Sequence, residues 1–231
     1  DPAFLVVILD WMVTTFGAFY LPIANDISGI GKPGTLGSAI FDEDPSTLLE
    51  GVVWLNGDDL YKIPGQEDFY SGLLFGQEFG HRWLSFVKFK DAQNNTREDL
   101  LGRDDAHWSF YLDSNWSWLE GNDWIDNGDG TFTTDVNSFE ATTHYSDLDL
   151  YLMGFLSSSE VADMTLITPT LSSAPPVQSS PDAWGGGSTT VEGTTETVTM
   201  QMILDAEGER VPSSVDSRFW LFKEGCSGYS H

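Results

Sequence analysis

The pattern of apolar positions predicts a chain in which short strands precede a long helix. Phe4–Leu9 and Gly51–Leu55 are compact apolar runs rich in β-branched residues, so each predicts a buried strand. From about Phe69 to Phe89 the apolar side chains recur with a near-helical period, which predicts a helix with one buried face. The apolar residues of this segment are Leu73, Leu74, Phe75, Phe79, Trp83, Leu84, Phe86 and Val87.

The second half of the chain alternates turn signals with short periodic segments. The stretch 126–134 predicts a tight hairpin turn leading into a strand, and Ser146–Phe155 predicts a short helix ending at Gly154. Late strands are predicted at Val198–Leu204 and Arg218–Lys223.

Residues 168–199 are rich in Ser, Thr, Pro and Gly, which predicts a long surface excursion rather than a second core. We therefore expect one domain over residues 1–231, of the α+β class.

The charge of the chain argues against two classes of binding partner. With 36 acidic against 10 basic residues the net charge is -26, which argues against nucleic acid or an anionic membrane surface as a partner. The acidic residues are spread along the chain, as on the solvated surface of a secreted or salt-adapted protein. The apolar opening Phe4–Ile23 is interrupted by Asp10 and Gly17, so it predicts neither a signal peptide nor a membrane span. The lone Cys226 leaves no Cys-based zinc site.

The most informative motif lies in the predicted helix, at Gly76–Trp83. In the His-Glu-x-x-His motif of zinc proteases, two histidines four residues apart hold the metal and the glutamate activates a water molecule. Here Gln77 stands in the place of the first histidine, while Glu78 and His81 match the general base and the second ligand. Residues 77 and 81 are separated by about 40° of helical rotation, so both can face one ion. The alternative for His81 is a buried, hydrogen-bonded core histidine.

A zinc site needs a third protein ligand, and the sequence leaves its identity open. The metzincin pattern would place a glycine at Leu84 and the third ligand at Val87, so that pattern fails. His107 is the first choice, because it is a histidine in an aromatic and acidic stretch, although it could simply pack beside Trp108. Glu120 is the second choice, and Asp104 and Asp105 are the third. His144 is expected to be structural or exposed.

Four stretches together resemble a family of secreted bacterial zincin-type metallopeptidases. They are Gly76–Trp83, His107–Phe110, Glu120–Phe132 and Tyr145–Gly154. The resemblance implies a zincin-like domain in which a twisted sheet packs on an active-site helix, with zinc as cofactor, a peptide or protein substrate and a secreted location. It also implies that Met153 lies beneath the metal. The chain departs from the family at Gln77, where histidine is expected.

Two functions remain open from the sequence. The leading hypothesis is a metallopeptidase that hydrolyses peptide bonds by metal-activated water, with Glu78 as base and His81, His107 and Gln77 as ligands. The alternative is a pseudopeptidase that serves as a binding or structural assembly module, since an amide oxygen is a poorer zinc ligand than imidazole.

A calcium site is also possible at Asp123, Asp126 and Asp129, because clustered carboxylates suit that ion. The dipeptides Asn127-Gly128 and Asp129-Gly130 are equally typical of an ordinary hairpin turn.

Overall fold

The computed structural model describes residues 4–9, 17–32, 49–56, 67–137, 144–170, 172–185 and 187–216. The chain is a mixed α+β protein, which confirms the predicted class. Its backbone divides into two compact units, residues 1–26 with 33–82 and residues 27–32 with 83–231.

The first unit contains a three-stranded sheet of order β1-β3-β2, formed by β1 (Phe4–Ile8), β2 (Phe19–Pro22) and β3 (Gly51–Leu55). The central strand β3 pairs in parallel with β1 and antiparallel with β2. Gly51, Val52 and Val53 of β3 are buried, as expected for a β-branched strand at the centre of a sheet. Both predicted strands are present, but the burial predicted for Phe4–Leu9 is wrong, because Leu5, Val6 and Ile8 of the edge strand β1 are 51%, 41% and 63% exposed.

Helix α1 (Glu67–Gly80) lies against β3 and β2 of this sheet. Phe79 anchors it, since its ring meets Phe4 of β1 edge to face at 4.9 Å and stacks on Phe75 at 5.9 Å. The predicted helix is therefore present, but its predicted end at Phe89 is wrong. The helix ends at Gly80, and Ser85 has a φ of 70°, which a right-handed helix does not allow. Leu84 and Val87 belong to the irregular segment that follows the helix, and their side chains are buried there.

Arg82 fixes the segment that follows α1. Its side chain is fully buried and donates to Glu50 Oε2 from Nε at 2.9 Å and from Nη2 at 2.7 Å. Nη1 donates to Asn25 Oδ1 at 2.7 Å. One guanidinium therefore ties the residue before β3 to the end of the helix.

The second unit is built on a six-stranded sheet. Its strands are β6 (Trp108–Asp113), β7 (Glu120–Asn122), β8 (Trp124–Asp126), β9 (Thr131–Thr134), β10 (Met164–Pro169) and β11 (Thr190–Val198). Their order in the sheet is β7-β6-β10-β11-β9-β8, with β6 and β7 parallel and the other pairs antiparallel. A small hairpin of β4 (Phe89–Lys90) and β5 (Thr96–Arg97) precedes them. Single 3₁₀ turns occur at Arg103–Asp105 and Ser158–Glu160.

Helix α2 (Asp147–Met153) has the boundaries that its sequence predicts. Ser146 caps its first turn by accepting from Asp149 N, while the Asp149 carboxylate accepts from Ser146 N. Gly154 ends it in the left-handed conformation at a φ of 87°. Capping signals are local, which explains why this prediction is confirmed.

The strand predicted at Val198–Leu204 is wrong beyond its first residue. Strand β11 ends at Val198, and helix α4 (Met200–Glu207) follows because the Thr199 hydroxyl accepts from Met202 N and caps it. The Ser/Thr-rich stretch 168–199 contains the whole of β11 and the short helix α3 (Asp182–Gly185). The strand predicted at Arg218–Lys223 lies outside the described residues.

No helix in the described ranges is both long enough and apolar enough to cross a membrane.

We expect Arg82→Met to lower the free energy of unfolding by about 3 to 5 kcal/mol, because it leaves Glu50 without its buried cation. Arg97→Met is the matched control, since Arg97 pairs with Asp99 at the surface, and there the loss should be about 1 kcal/mol or less. Urea denaturation followed by tryptophan fluorescence measures both. Equal losses in the two variants would contradict the anchoring role of Arg82.

Candidate functional site

The three motif residues of α1 lie at its C-terminal end, in the first unit. Gln77 and His81 are one turn apart, and the helical spacing continues to His81, whose N–H donates to Gln77 O at 3.2 Å. Gln77, Glu78 and His81 are 4%, 6% and 9% exposed. The backbone spacing expected from the motif is thus present, and all three side chains are buried.

His107 and Glu120 lie in the second unit, where Arg103 joins them. We call these three residues the Arg103 cluster. The loop that carries Arg103 is closed by Gly102 N, which donates to His107 O at 2.8 Å. Only glycine fits at its start, because a Cβ on Gly102 would lie 2.5 Å from Trp108 O.

Arg103 is bound to both carboxylate oxygens of Glu120. Nε donates to Oε1 and Oε2 at 3.2 Å each, and Nη2 donates to Oε1. Glu120 is 2% exposed, so the guanidinium supplies the positive charge that this buried carboxylate requires.

The backbone of Glu120 is in an unfavourable conformation. Its φ of 78° lies in the left-handed region, which glycine adopts readily and glutamate rarely does. The carboxylate is held in place although the conformation favours glycine, which indicates that its pairing with Arg103 stabilises the fold locally.

Arg103 also determines the tautomer of His107. The Nδ1 atom of His107 lies 2.8 Å from Arg103 O, and since a carbonyl only accepts, Nδ1 carries the proton. The Nε2 atom lies 3.2 Å from Arg103 Nη2, which only donates, so Nε2 is the acceptor. Burial and the adjacent Arg103 charge lower the pKa of His107 to about 4, which keeps the imidazole neutral.

The third-choice ligands Asp104 and Asp105 are exposed, and so is His144. Asp104 is exposed and pairs with Arg103 Nη1 at 2.6 Å, and Asp105 is exposed beside it. His144 is exposed and contributes backbone hydrogen bonds to the Trp116–Trp118 segment. The structure therefore brings together His107 and Glu120, whose Nε2 and Oε1 atoms are 3.5 Å apart, with Arg103 between them.

Asp126 and Asp129 make the contacts of an ordinary hairpin. Asp126 Oδ1 accepts from Gly128 N at 2.8 Å, and Asp129 Oδ1 accepts from Thr131 N at 3.0 Å. Asp123 lies before β8, and its carbonyl accepts from Asp135 N at 2.9 Å. Met153 is the last residue of α2 and packs against the hydrophobic core.

Within the part of the chain that the structure describes, no group of three or more His, Cys, Asp or Glu side chains is placed to hold a metal ion. No protein-family model, curated protein or solved structure matches the chain.

The sequence alone singled out neither Arg103, which is central to the cluster, nor Asp149, which accepts hydrogen bonds from Trp108 and Ser117. Arg103 occurs in a run of charged residues that reads as solvated surface, so no local signal distinguishes it. Asp149 belongs to the quoted stretch Tyr145–Gly154, but its alternation with Leu148 and Leu150 suggests only a helix cap.

We expect the protein to lose stability as pH falls from 6.5 to about 4, because His107 titrates near 4 in the folded state and near 6.5 in the unfolded state. The unfolded chain binds the proton first, so the free energy of unfolding should fall by about 2 kcal/mol between pH 7 and pH 5 from this residue alone. Comparison of urea unfolding for the natural protein and His107→Gln at both pH values isolates that contribution. An equal pH dependence in the two proteins would contradict a neutral buried His107.

Proposed function

We propose that this chain is a secreted, zincin-like pseudopeptidase that serves as a binding or structural assembly module. The observation that carries the proposal is the Arg103 cluster, in which Arg103 occupies both oxygens of Glu120 and faces Nε2 of His107. The packing of α1 on the sheet β1-β3-β2 supports the zincin-like part, since that fold requires a helix against a sheet.

The donor groups present do not fit zinc in the arrangement described. Gln77 offers a neutral amide oxygen where the motif has an imidazole, and zinc binds that donor less well. At His107 and Glu120 a dication would have to displace a guanidinium that makes three hydrogen bonds to one carboxylate. The positive charge that the site requires is already supplied by the protein.

The partner expected for such a module is a peptide or protein. The net charge of -26 repels nucleic acid and anionic lipid, while it favours association with neutral or basic protein surfaces. Secretion is proposed with it, from the resemblance and the spread of acidic residues.

The metallopeptidase remains the second candidate, and a separate observation favours it. His107 is neutral, with Nδ1–H donated to a main-chain carbonyl, which is the orientation that second-shell contacts give to metal-ligating histidines. In this candidate Glu78 would accept a proton from the attacking water, and the ligands would be those predicted from the sequence.

The natural protein should contain well under one zinc per chain when purified without chelator, and it should cleave peptide substrates no faster than Glu78→Gln. The reason is that the base alone, without a completed metal site, does not activate water. Elemental analysis and a fluorogenic peptide-library assay measure the two quantities. Stoichiometric zinc together with hydrolysis that Glu78→Gln abolishes would replace the pseudopeptidase by the metallopeptidase.

Gln77→His should raise zinc affinity roughly tenfold or more, because it places two imidazoles one turn apart on one face of α1. The gained binding should weaken as pH falls through about 6.5, where imidazole is protonated. Gln93→His, which adds a histidine at the exposed tip of the β4–β5 hairpin, is the matched control. Calorimetry with zinc measures all three proteins, and equal affinities in the two variants would mean that α1 is not a ligand helix.

A further inference from the structure

Asp149 is a fully buried carboxylate at the first turn of α2. Its Oδ1 atom accepts from Trp108 Nε1 at 2.8 Å. Its Oδ2 atom accepts from Ser117 Oγ at 2.5 Å and from Ser146 N at 2.8 Å. Three donors from three separate segments therefore converge on one side chain.

Helix capping accounts for only one of these three bonds. The Ser146 N–H is the capping contact, and an aspartate at the surface could provide it equally well. The bonds to Trp108 and Ser117 do nothing for the helix, and they hold an ionisable group in the interior with neutral donors only. Burial raises the pKa of Asp149, which shows how unfavourable its charge is there. A second role is needed to explain its position.

The two additional donors lie between His107 and Glu120 in the sequence, each close to one of these cluster residues. Trp108 directly follows His107, and its N–H donates to Leu119 O at 2.8 Å. Ser117 opens the turn that ends at Glu120, whose N–H donates to Ser117 O at 3.0 Å. Ser117 Oγ also accepts from Leu119 N at 3.0 Å. Asp149 thus joins the segment that carries His107 to the turn that carries Glu120.

We propose that Asp149 is a positioning residue that sets the geometry of the Arg103 cluster by holding Trp108 and Ser117. It makes no hydrogen bond to the three cluster residues and acts through Trp108 and Ser117 in the segments that carry them. The inference rests on the proposed function in one respect, since that function assigns the cluster to the predicted ligand positions. It names the residue that keeps His107 Nε2 and the Glu120 carboxylate directed at Arg103.

The test uses the full chain with ¹⁵N-labelled histidine and arginine. Ser117→Ala and Trp108→Phe each remove one donor to the Asp149 carboxylate. Ser146→Ala removes only the capping hydroxyl that accepts from Asp149 N. In the natural protein the two ring nitrogens of His107 should give widely separated ¹⁵N resonances, because a single tautomer leaves Nδ1 protonated and Nε2 unprotonated. The Nε–H of Arg103 should be protected from exchange with water.

In Ser117→Ala and Trp108→Phe the two ring resonances of His107 should move toward each other and the Arg103 Nε–H should lose protection. Ser146→Ala should leave both signals in place, although it weakens α2. Shifts of equal size in Ser146→Ala, or unchanged signals in all three variants, would overturn the positioning role. Using two donor variants ensures that a folding failure of one leaves the other to decide.

These signals do not depend on zinc or on hydrolysis. If the natural protein proves to be a metallopeptidase, the proposed function fails while the nuclear magnetic resonance result still decides the role of Asp149. If the donor variants behave like the capping control, the positioning role fails and the zinc measurements are unaffected.

Discussion

The pairing of Arg103 with Glu120 is the interaction on which the rest of the candidate site depends. A carboxylate that is 2% exposed must be compensated, and the guanidinium does this through both oxygens. The same guanidinium presents a donor to His107 Nε2, which leaves Nδ1 as the protonated nitrogen. Glu120 makes this contact from a backbone with a positive φ of 78°. One charge pair therefore fixes a side-chain tautomer and engages two predicted ligand positions.

Buried arginine side chains also make structural contacts elsewhere, one in each unit. The chain has only 10 lysines and arginines, yet Arg82 and Arg210 are almost completely buried. Arg82 compensates Glu50 in the first unit. Arg210 in the second unit donates from Nε to Leu152 O at 2.8 Å, at the C-terminal end of α2, where the helix dipole favours a cation. In this strongly acidic chain, two of the ten cationic side chains thus serve structural positions in the interior.

Local signals predicted those parts of the fold that local contacts determine. The strands at Phe4–Ile8 and Gly51–Leu55 follow from β-branched runs, and α2 follows from Ser146 and Gly154 at its two ends. The end of α1 could not be predicted from periodicity, because the apolar pattern continues past Gly80. Leu84 and Val87 continue it as buried residues of an irregular segment. Helix α4 was missed because the capping contribution of Thr199 competes with a β-branched run that ends one residue earlier.

The candidate site shows the same division between local and distant information. The spacing of Gln77, Glu78 and His81 within one helix is a local property, and the structure has it. The hydrogen-bond partners of His107 and Glu120 depend on how a loop, a strand and a turn meet, and the motif contains no trace of Arg103. A ligand helix supplies two donors, and the third donor decides whether a metal is held. In this chain His107 and Glu120, the first two choices for that third position, are both engaged by Arg103, so a cation already occupies the donors that would complete a metal site.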